Sequence, residues 1–301
     1  MAKPFNARAP LGRRLCALIL AALAASACPA TAQFPLLGIN VLKSCGKIDG
    51  ALVEECSGLV QSLRYSGVYW ALGDSGNAPA IVPVLADGTL ARGWAGPVRI
   101  EGVKNNDWED IALDSKGNII IADVGNNLGN RKQLMLHFVK EPKPGAVSAK
   151  PFRTLRVHYA DQQGASPDYD CEAVFVAGGR VYFLTKSRSD SLARLYRLDG
   201  DSTAKSNPLR LVDSRDIGGM VTGADASPDG KLVAVLSYNV LWVFEFDPNS
   251  GSIFRKGARR LPIFAWQAEA VAFDGNDSLV VGNEAGLLYR VPLADLQAVR
   301  P

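Results

Sequence analysis

Acidic residues at repeated positions are the chemistry this chain offers. Glu109 lies in Asp107-Trp108-Glu109-Asp110-Ile111-Ala112-Leu113, which runs through the turn Asp114-Ser115-Lys116-Gly117 into a second apolar run, Asn118-Ile119-Ile120-Ile121-Ala122-Asp123. Glu172 opens Cys171-Glu172-Ala173-Val174-Phe175-Val176 in the same way, and Glu269 opens Glu269-Ala270-Val271-Ala272-Phe273. In a fourth copy, Thr222-Gly223-Ala224-Asp225-Ala226 before Ser227-Pro228-Asp229-Gly230, a threonine takes that place. Aligned, Glu109, Glu172, Thr222 and Glu269 stand 63, 50 and 47 residues apart. An earlier, degenerate copy begins Cys56-Ser57-Gly58-Leu59-Val60-Gln61, with Ser57 at the shared position.

The ends of the second runs add Asp74, Asp123, Asn283 and Glu284. If those ends and the starts of the first runs share one face, many carboxylates crowd one opening. They must then take up protons, pair with Lys or Arg, or bind a cation. Donors that are all oxygen, without a His or Cys cluster, favour a hard ion, calcium before magnesium. The candidate ligands are Glu109, Glu172, Glu269, Asp123, Asp74 and Asn283. Lys186, Arg188, Arg131 and Lys132 follow second runs and offer internal counter-charges. The bland alternative is that acids at strand starts accept from backbone amides of the next sheet and fix its packing. Trp70, Trp108, Trp242 and Trp266 read as core rather than as ligand platforms.

The elements that would position these residues are strands. Runs such as Leu134-Met135-Leu136-His137-Phe138-Val139 and Val240-Leu241-Trp242-Val243-Phe244 alternate with period 2 and are rich in β-branched and aromatic residues. Gly, Pro, Asn and Asp punctuate them. No stretch after residue 32 sustains a helical period. A period near 50 with about four strands per unit predicts an all-β propeller, five blades preferred and six if one is hidden in residues 143–170. The last unit runs out of chain with three strands, so residues 37–42 are expected to supply its outer strand and close the ring.

Residues 1–32 read as a signal peptide: Lys3, Arg8, Arg13 and Arg14 precede a 13-residue apolar stretch ending at Ala27, and Ala30-Thr31-Ala32 is a cleavage pattern. The stretch is too short for a membrane span. A twin-arginine route at Arg13-Arg14 lacks its continuation, and a lipoprotein site at Cys28 is disfavoured by Ala25. Residues 33–301 form the expected propeller domain, secreted or periplasmic. They carry 29 Lys and Arg against 30 Asp and Glu, which removes electrostatic support for nucleic-acid or anionic-membrane binding. Export permits a disulfide, and Cys45–Cys56, 11 residues apart around a turn, is the expected pair; Cys171 is left as a buried free thiol. Only His137 and His158 exist, both in strands, and no nucleophile elbow, P-loop or His-based metal motif is present.

Glu55-Cys56-Ser57-Gly58-Leu59, Asp74-Ser75-Gly76-Asn77, Asn106-Asp107-Trp108-Glu109-Asp110-Ile111-Ala112, Asp123-Val124-Gly125-Asn126 and Thr222-Gly223-Ala224-Asp225-Ala226-Ser227-Pro228-Asp229-Gly230 resemble the motifs of an uncharacterised family of exported bacterial propeller-like proteins. The resemblance spans most of residues 55–285 and implies the fold and export, not an activity. More distantly the layout is similar to calcium-dependent propeller hydrolases, which implies a calcium in the channel. Two functions follow as expectations. The first is a monomeric binding scaffold of the cell envelope, holding a small-molecule ligand or an envelope protein at the acidic mouth. The second is a calcium-dependent hydrolase of a small ester, lactone or phosphoester.

Overall fold

The computed structural model describes residues 31–34 and 39–299. Most of the signal peptide, Cys28 and residues 37–38 of the expected closing strand lie outside them. Three short strands come first: β1 (Thr31–Phe34), β2 (Ile39–Leu42) and β3 (Ser44–Lys47). Repeating antiparallel meanders follow. The first is β4 (Cys56–Gln61), β5 (Val68–Gly73), β6 (Ala80–Leu85) and β7 (Val98–Ile100). The second is β8 (Trp108–Leu113), β9 (Asn118–Asp123), β10 (Leu134–Lys140) and β12 (Pro151–Tyr159), with the two-residue β11 (Ser148–Ala149) laid against β7. Then come β13 (Cys171–Ala177), β14 (Arg180–Thr185), β15 (Leu192–Leu198) and β16 (Ser206–Asp216). The fourth meander is β17 (Val221–Ala226), β18 (Leu232–Ser237), β19 (Val240–Glu245) and β20 (Ala258–Phe264). The last is β21 (Ala268–Asp274), β22 (Ser278–Asn283) and β23 (Leu287–Pro292), and β24 (Gln297–Val299) returns to pair with β20. No α-helix occurs among the described residues, and no helix there is long and apolar enough to cross a membrane.

The first strands neighbour one another in a closed cycle: β4 touches β8, β8 touches β13, β13 touches β17, β17 touches β21, and β21 touches β4. Hydrophobic clusters sit between successive meanders around the same cycle. One joins Trp70, Leu72 and Ile81 to Trp108, Ile111 and Ile119; another joins Leu59, Tyr69 and Val82 to Ala270, Ala272 and Val280. Neighbouring side chains of one strand feed opposite clusters, Ile119 and Ile121 to one and Ile120 and Ala122 to the other. A strand covered on both faces has no place for alternating polar residues, which is why the inner runs are nearly unbroken apolar sequence. The arrangement is all-β and propeller-like. The turns are built locally: Asp114 Oδ1 accepts from Lys116 N at 2.8 Å and Asn118 N at 2.9 Å, and Gly117 takes φ +73°, which a side chain would resist.

Closure differs from the expectation. The outer partner of β23 is β3, Leu287 pairing Lys47 and Leu288 pairing Gly46, not residues 37–42. β2 lies instead parallel to β20, with Leu42 buried against Leu241 and Ile263, and Asn40 donating to Pro262 O at 3.0 Å. The apolar Ile-Asn-Val-Leu segment finds a core to fill there. The polar Ser-Cys-Gly-Lys segment needs only backbone pairing at an exposed edge, so hydrophobic pattern pointed to the wrong segment.

Candidate functional site

Every first strand carries a bulge at one position. The register with the following strand slips between Cys56 and Gly58, Trp108 and Asp110, Cys171 and Ala173, Val221 and Gly223, and Ala268 and Ala270. The residues skipped are Ser57, Glu109, Glu172, Thr222 and Glu269, the repeated position of the sequence. A bulged residue leaves the strict two-face alternation and its side chain is re-aimed. Here the two faces belong to the cores, so these polar side chains, all buried, leave the cores for the axis side of the strand.

The five do different things. Thr222 Oγ1 donates to Ala268 O at 2.8 Å and Ser57 Oγ to Glu55 O at 3.4 Å, so both hydroxyls are spent on backbone. Glu172 is paired with Lys186, Oε2 to Nζ at 3.2 Å, and that ammonium also sits 5.2 Å from the ring centre of Tyr238. Tyr238 in turn donates its hydroxyl to Glu269 Oε1 at 3.0 Å. Glu109 has no hydrogen-bond or ion-pair partner among the described residues, although it is only 5% exposed. One oxygen each from Glu109, Asp74 and Asp107 lie within 4.8 Å of one another.

The electrostatics follow from that geometry. Burial pushes the Glu109 carboxyl well above its ordinary range, and Glu172, Asp74, Asp107 and Asp170 push it further. Asp107 is raised by burial and then by Asp74. Glu269 is raised to about 7, by burial first and then by Glu284, with Lys186 and Tyr238 pulling the other way. Lys186 is the counter-charge of one half of the mouth; in the half formed by Asp74, Asp107 and Glu109, Arg131 pulls Asp107 down from a distance but is ion-paired with Asp123 and makes no ion pair with the three. Gly125 makes that half possible, since a Cβ there would overlap Glu109 Oε1 and the Asp107 carboxylate. This glycine is required for close approach rather than for a positive φ.

The bland role predicted for strand-start acids is filled by Asp110 and Asp170, and by Asp225 further along its strand. Asp110 Oδ2 accepts from Val174 N at 2.7 Å and Oδ1 from Ile111 N at 2.8 Å, tying β8 to β13. Asp225 Oδ2 accepts from Phe273 N at 2.8 Å, tying β17 to β21. Asp170 accepts from Asn126 N at 2.7 Å and pairs with Arg188 at 2.9 Å. Of the predicted ligands, Asp123 touches the group through Asp107, whose N–H donates to Asp123 Oδ1 at 3.2 Å, and Asn283 is engaged with backbone. Asp123 is held by Arg131 and by Asn106 Nδ2 at 2.8 Å; burial alone would raise its carboxyl, but His137, Arg131 and Asn106 outweigh burial and lower it. Asn283 braces a turn, donating to Ala265 O at 3.1 Å and accepting from Leu287 N at 2.8 Å. Asp107, which the ligand expectation left out, is a strand-start acid whose carboxylate meets Asp74 across the seam of two meanders.

Two further expectations are corrected. Cys45 and Cys56 form no disulfide: Cys45 is an exposed free thiol on β3, near the Ala86 and Leu288 carbonyls, while Cys56 is buried in the inner strand β4. Chain spacing suggested a loop, but the two residues entered different sheets. Cys171 is free and fully buried, and burial pushes its thiol far up. Among the tryptophans, Trp70, Trp108 and Trp242 are core as read, but Trp266 is 56% exposed.

No protein-family model and no curated protein matches the chain. Among solved structures it is similar to a PQQ-bound aldose sugar dehydrogenase from Streptomyces coelicolor, at 11% identity and TM-score 0.45, covering 86% of this chain and 97% of that one. It is similar to a chain of the mitotic checkpoint complex at 13% identity and TM-score 0.39, covering 78% of this chain and 60% of that one. A catalytically inactive virginiamycin B lyase from Staphylococcus aureus with quinupristin matches at 12% identity and TM-score 0.40, over 79% of this chain and 66% of that one.

Proposed function

We propose that residues 33–301 are one exported, five-bladed propeller domain that serves as a binding scaffold in the bacterial envelope, capturing a cationic ligand at its acidic mouth. The observation that carries this reading is Glu109: a residue only 5% exposed whose carboxylate has no hydrogen-bond or ion-pair partner among the described residues, beside Asp74 and Asp107. A carboxylate so placed is costly unless it is protonated or meets a cation. The three carboxylates fit a hard divalent ion, calcium first, which takes six to eight oxygens and would complete its shell with water or ligand oxygens. Glu172 and Glu269, already engaged by Lys186 and Tyr238, form the neutralised wall opposite.

The second reading is a calcium-dependent hydrolase, favoured by the same three oxygens. A bound ion there would polarise a substrate oxygen and activate water. The scaffold is preferred because no unique catalytic residue can be named: the mouth carboxylates stand at a position that the repeats share, His137 is engaged with Thr154 Oγ1 at 3.1 Å, and His158 with Ser206 Oγ at 2.8 Å. The test is calorimetric and thermal-shift titration with calcium, magnesium and EDTA on the wild type and Glu109→Gln. Calcium should bind the wild type and bind the variant more than tenfold more weakly, because ligand charge count sets affinity. A variant with unchanged stability and unchanged calcium response would end this reading.

A further inference from the structure

Trp266 breaks a local rule on the rim of the acidic mouth. The link from β20 to β21 holds Trp266 at φ +38° and Gln267 at φ +50°, two side-chain-bearing residues in succession in the left-handed region. Such positions favour Gly, Asn or Asp, and each costs on the order of 1–3 kcal/mol for other residues. The corresponding link from β16 to β17 is Ile217-Gly218-Gly219-Met220, with Gly218 at φ +73°. The fold thus accepts glycine at this kind of link, yet the last unit spends a tryptophan there and leaves its indole 56% exposed.

The surroundings are acidic. Gln267 donates its side-chain amide to Glu284, whose backbone N–H is bonded to Gln267 O at 3.1 Å. Burial raises both carboxyls; Glu284 raises that of Glu269 further, a hydrogen bond with Glu269 pulls that of Glu284 down, and Asp74 raises both. Around the cycle of strands the last meander adjoins the first, and the first adjoins the second. An arc of carboxylates therefore runs from Glu284 and Glu269 through Asp74 to Asp107 and Glu109, with Lys186 on the Glu172 side. At one end is Glu109, without a partner among the described residues, and next to Gln267 near the other end is the exposed Trp266.

We infer that the mouth takes a small aliphatic polyamine, one ammonium group seated among Asp74, Asp107 and Glu109 and the other end of the chain lying against Trp266 beside Glu284. A point ion satisfies only one end of this arc; a chain of methylenes between ammonium groups satisfies both, since indole is the best aromatic partner for an ammonium and also accepts methylene contact. The inference rests on the cation-binding reading above and names its ligand class.

The probe is spermidine, followed by tryptophan emission and calorimetry. Trp70, Trp94, Trp108 and Trp242 are buried, so an emission change at low occupancy of denatured protein reports Trp266. Spermidine should shift the emission and bind the wild type. Trp266→Asn, which suits the left-handed backbone, should weaken spermidine at least tenfold without lowering the melting temperature, and Trp266→Phe should recover part of the loss. Glu109→Gln should weaken spermidine and calcium alike, whereas Trp266→Asn should affect spermidine far more than calcium. Trilysine serves as the second arm: spermidine binding with weak trilysine binding assigns a free polyamine, and a preference for trilysine overturns that in favour of a lysine-bearing chain. Equal spermidine affinity in wild type and Trp266→Asn, or calcium binding with no spermidine binding, overturns the inference and leaves the cation-binding reading intact. Loss of neither ligand in Glu109→Gln would bring down both.

Discussion

Glu109 is isolated because of what its neighbours do. Asp110 and Asp225 accept backbone amides, Glu172 has Lys186, Glu269 has Tyr238, and Glu109 is left facing Asp74 and Asp107. Replacing it with Gln removes a buried like charge, so the cation-free variant should gain about 1 kcal/mol, roughly 2–4 °C in melting temperature. Gly125→Ala should do the reverse, driving a methyl group into Glu109 and Asp107; a loss of about 1–3 kcal/mol with weaker calcium binding is expected by thermal shift. The pH dependence has a definite sign. Glu269 stands at about 7 when folded against an ordinary 4.5, so the folded protein holds that proton more tightly than the unfolded chain. This stability is full below pH 4.5 and is lost as pH rises through 7, and Glu109 adds to the trend in the same direction. Melting temperatures without metal should fall between pH 5 and 8, and saturating calcium should flatten the slope. The repeated position of Glu109, Glu172 and Glu269 was legible from spacing alone. Lys186 was legible as a counter-charge too, because it follows the second strand of Glu172's own unit; the bond from Tyr238 to Glu269 was not, because Tyr238 belongs to the preceding unit and no local pattern encodes that meeting.

At the level of strands, the bulge links sequence to site. Period-2 patterning located the inner strands, but a bulge is one residue of disturbed register inside an apolar run and leaves little trace in composition. The N-terminal strands show the opposite failure: residues 39–42 carried the stronger hydrophobic signal, yet the backbone of residues 44–47 completes the last sheet. Two truncations separate their roles. A chain beginning at residue 43 loses β2 and the Leu42 contact, a cost of about 2–4 kcal/mol by analogy with emptied core sites. A chain beginning at residue 48 also strips β23 of its partner and should melt lower still, with faster amide exchange in residues 287–291. Equal melting of the two would remove the closing role of β3. Cys45 gives a chemical reading of the same strand: it should react with a thiol reagent in the native protein, whereas Cys56 and Cys171 should react only after unfolding.

For the whole molecule, each core is shared between successive meanders, so no meander owns a complete interior. Unfolding should be a single transition by circular dichroism and by tryptophan fluorescence, with Trp70→Ala lowering it as a whole by about 3–5 kcal/mol and not detaching one unit. The circular order of the repeats was readable because each copy brings its own turn and inner strand. The seams between copies were less readable, since they depend on which faces of two distant strands come together.

The outer rim has a consequence of its own. β12 and β16 run side by side in parallel, Arg156 pairing Ser206 through Tyr159 pairing Leu209; β2 lies along β20 and β11 along β7. Peripheral strands in a wheel of sheets normally present bare amides and carbonyls to whatever drifts past, and a passing chain can extend them into a fibril. Here much of that periphery is already taken by the chain itself. Such self-sealing gives colloidal tolerance, and removing β2 alone should make the protein clump long before it unfolds.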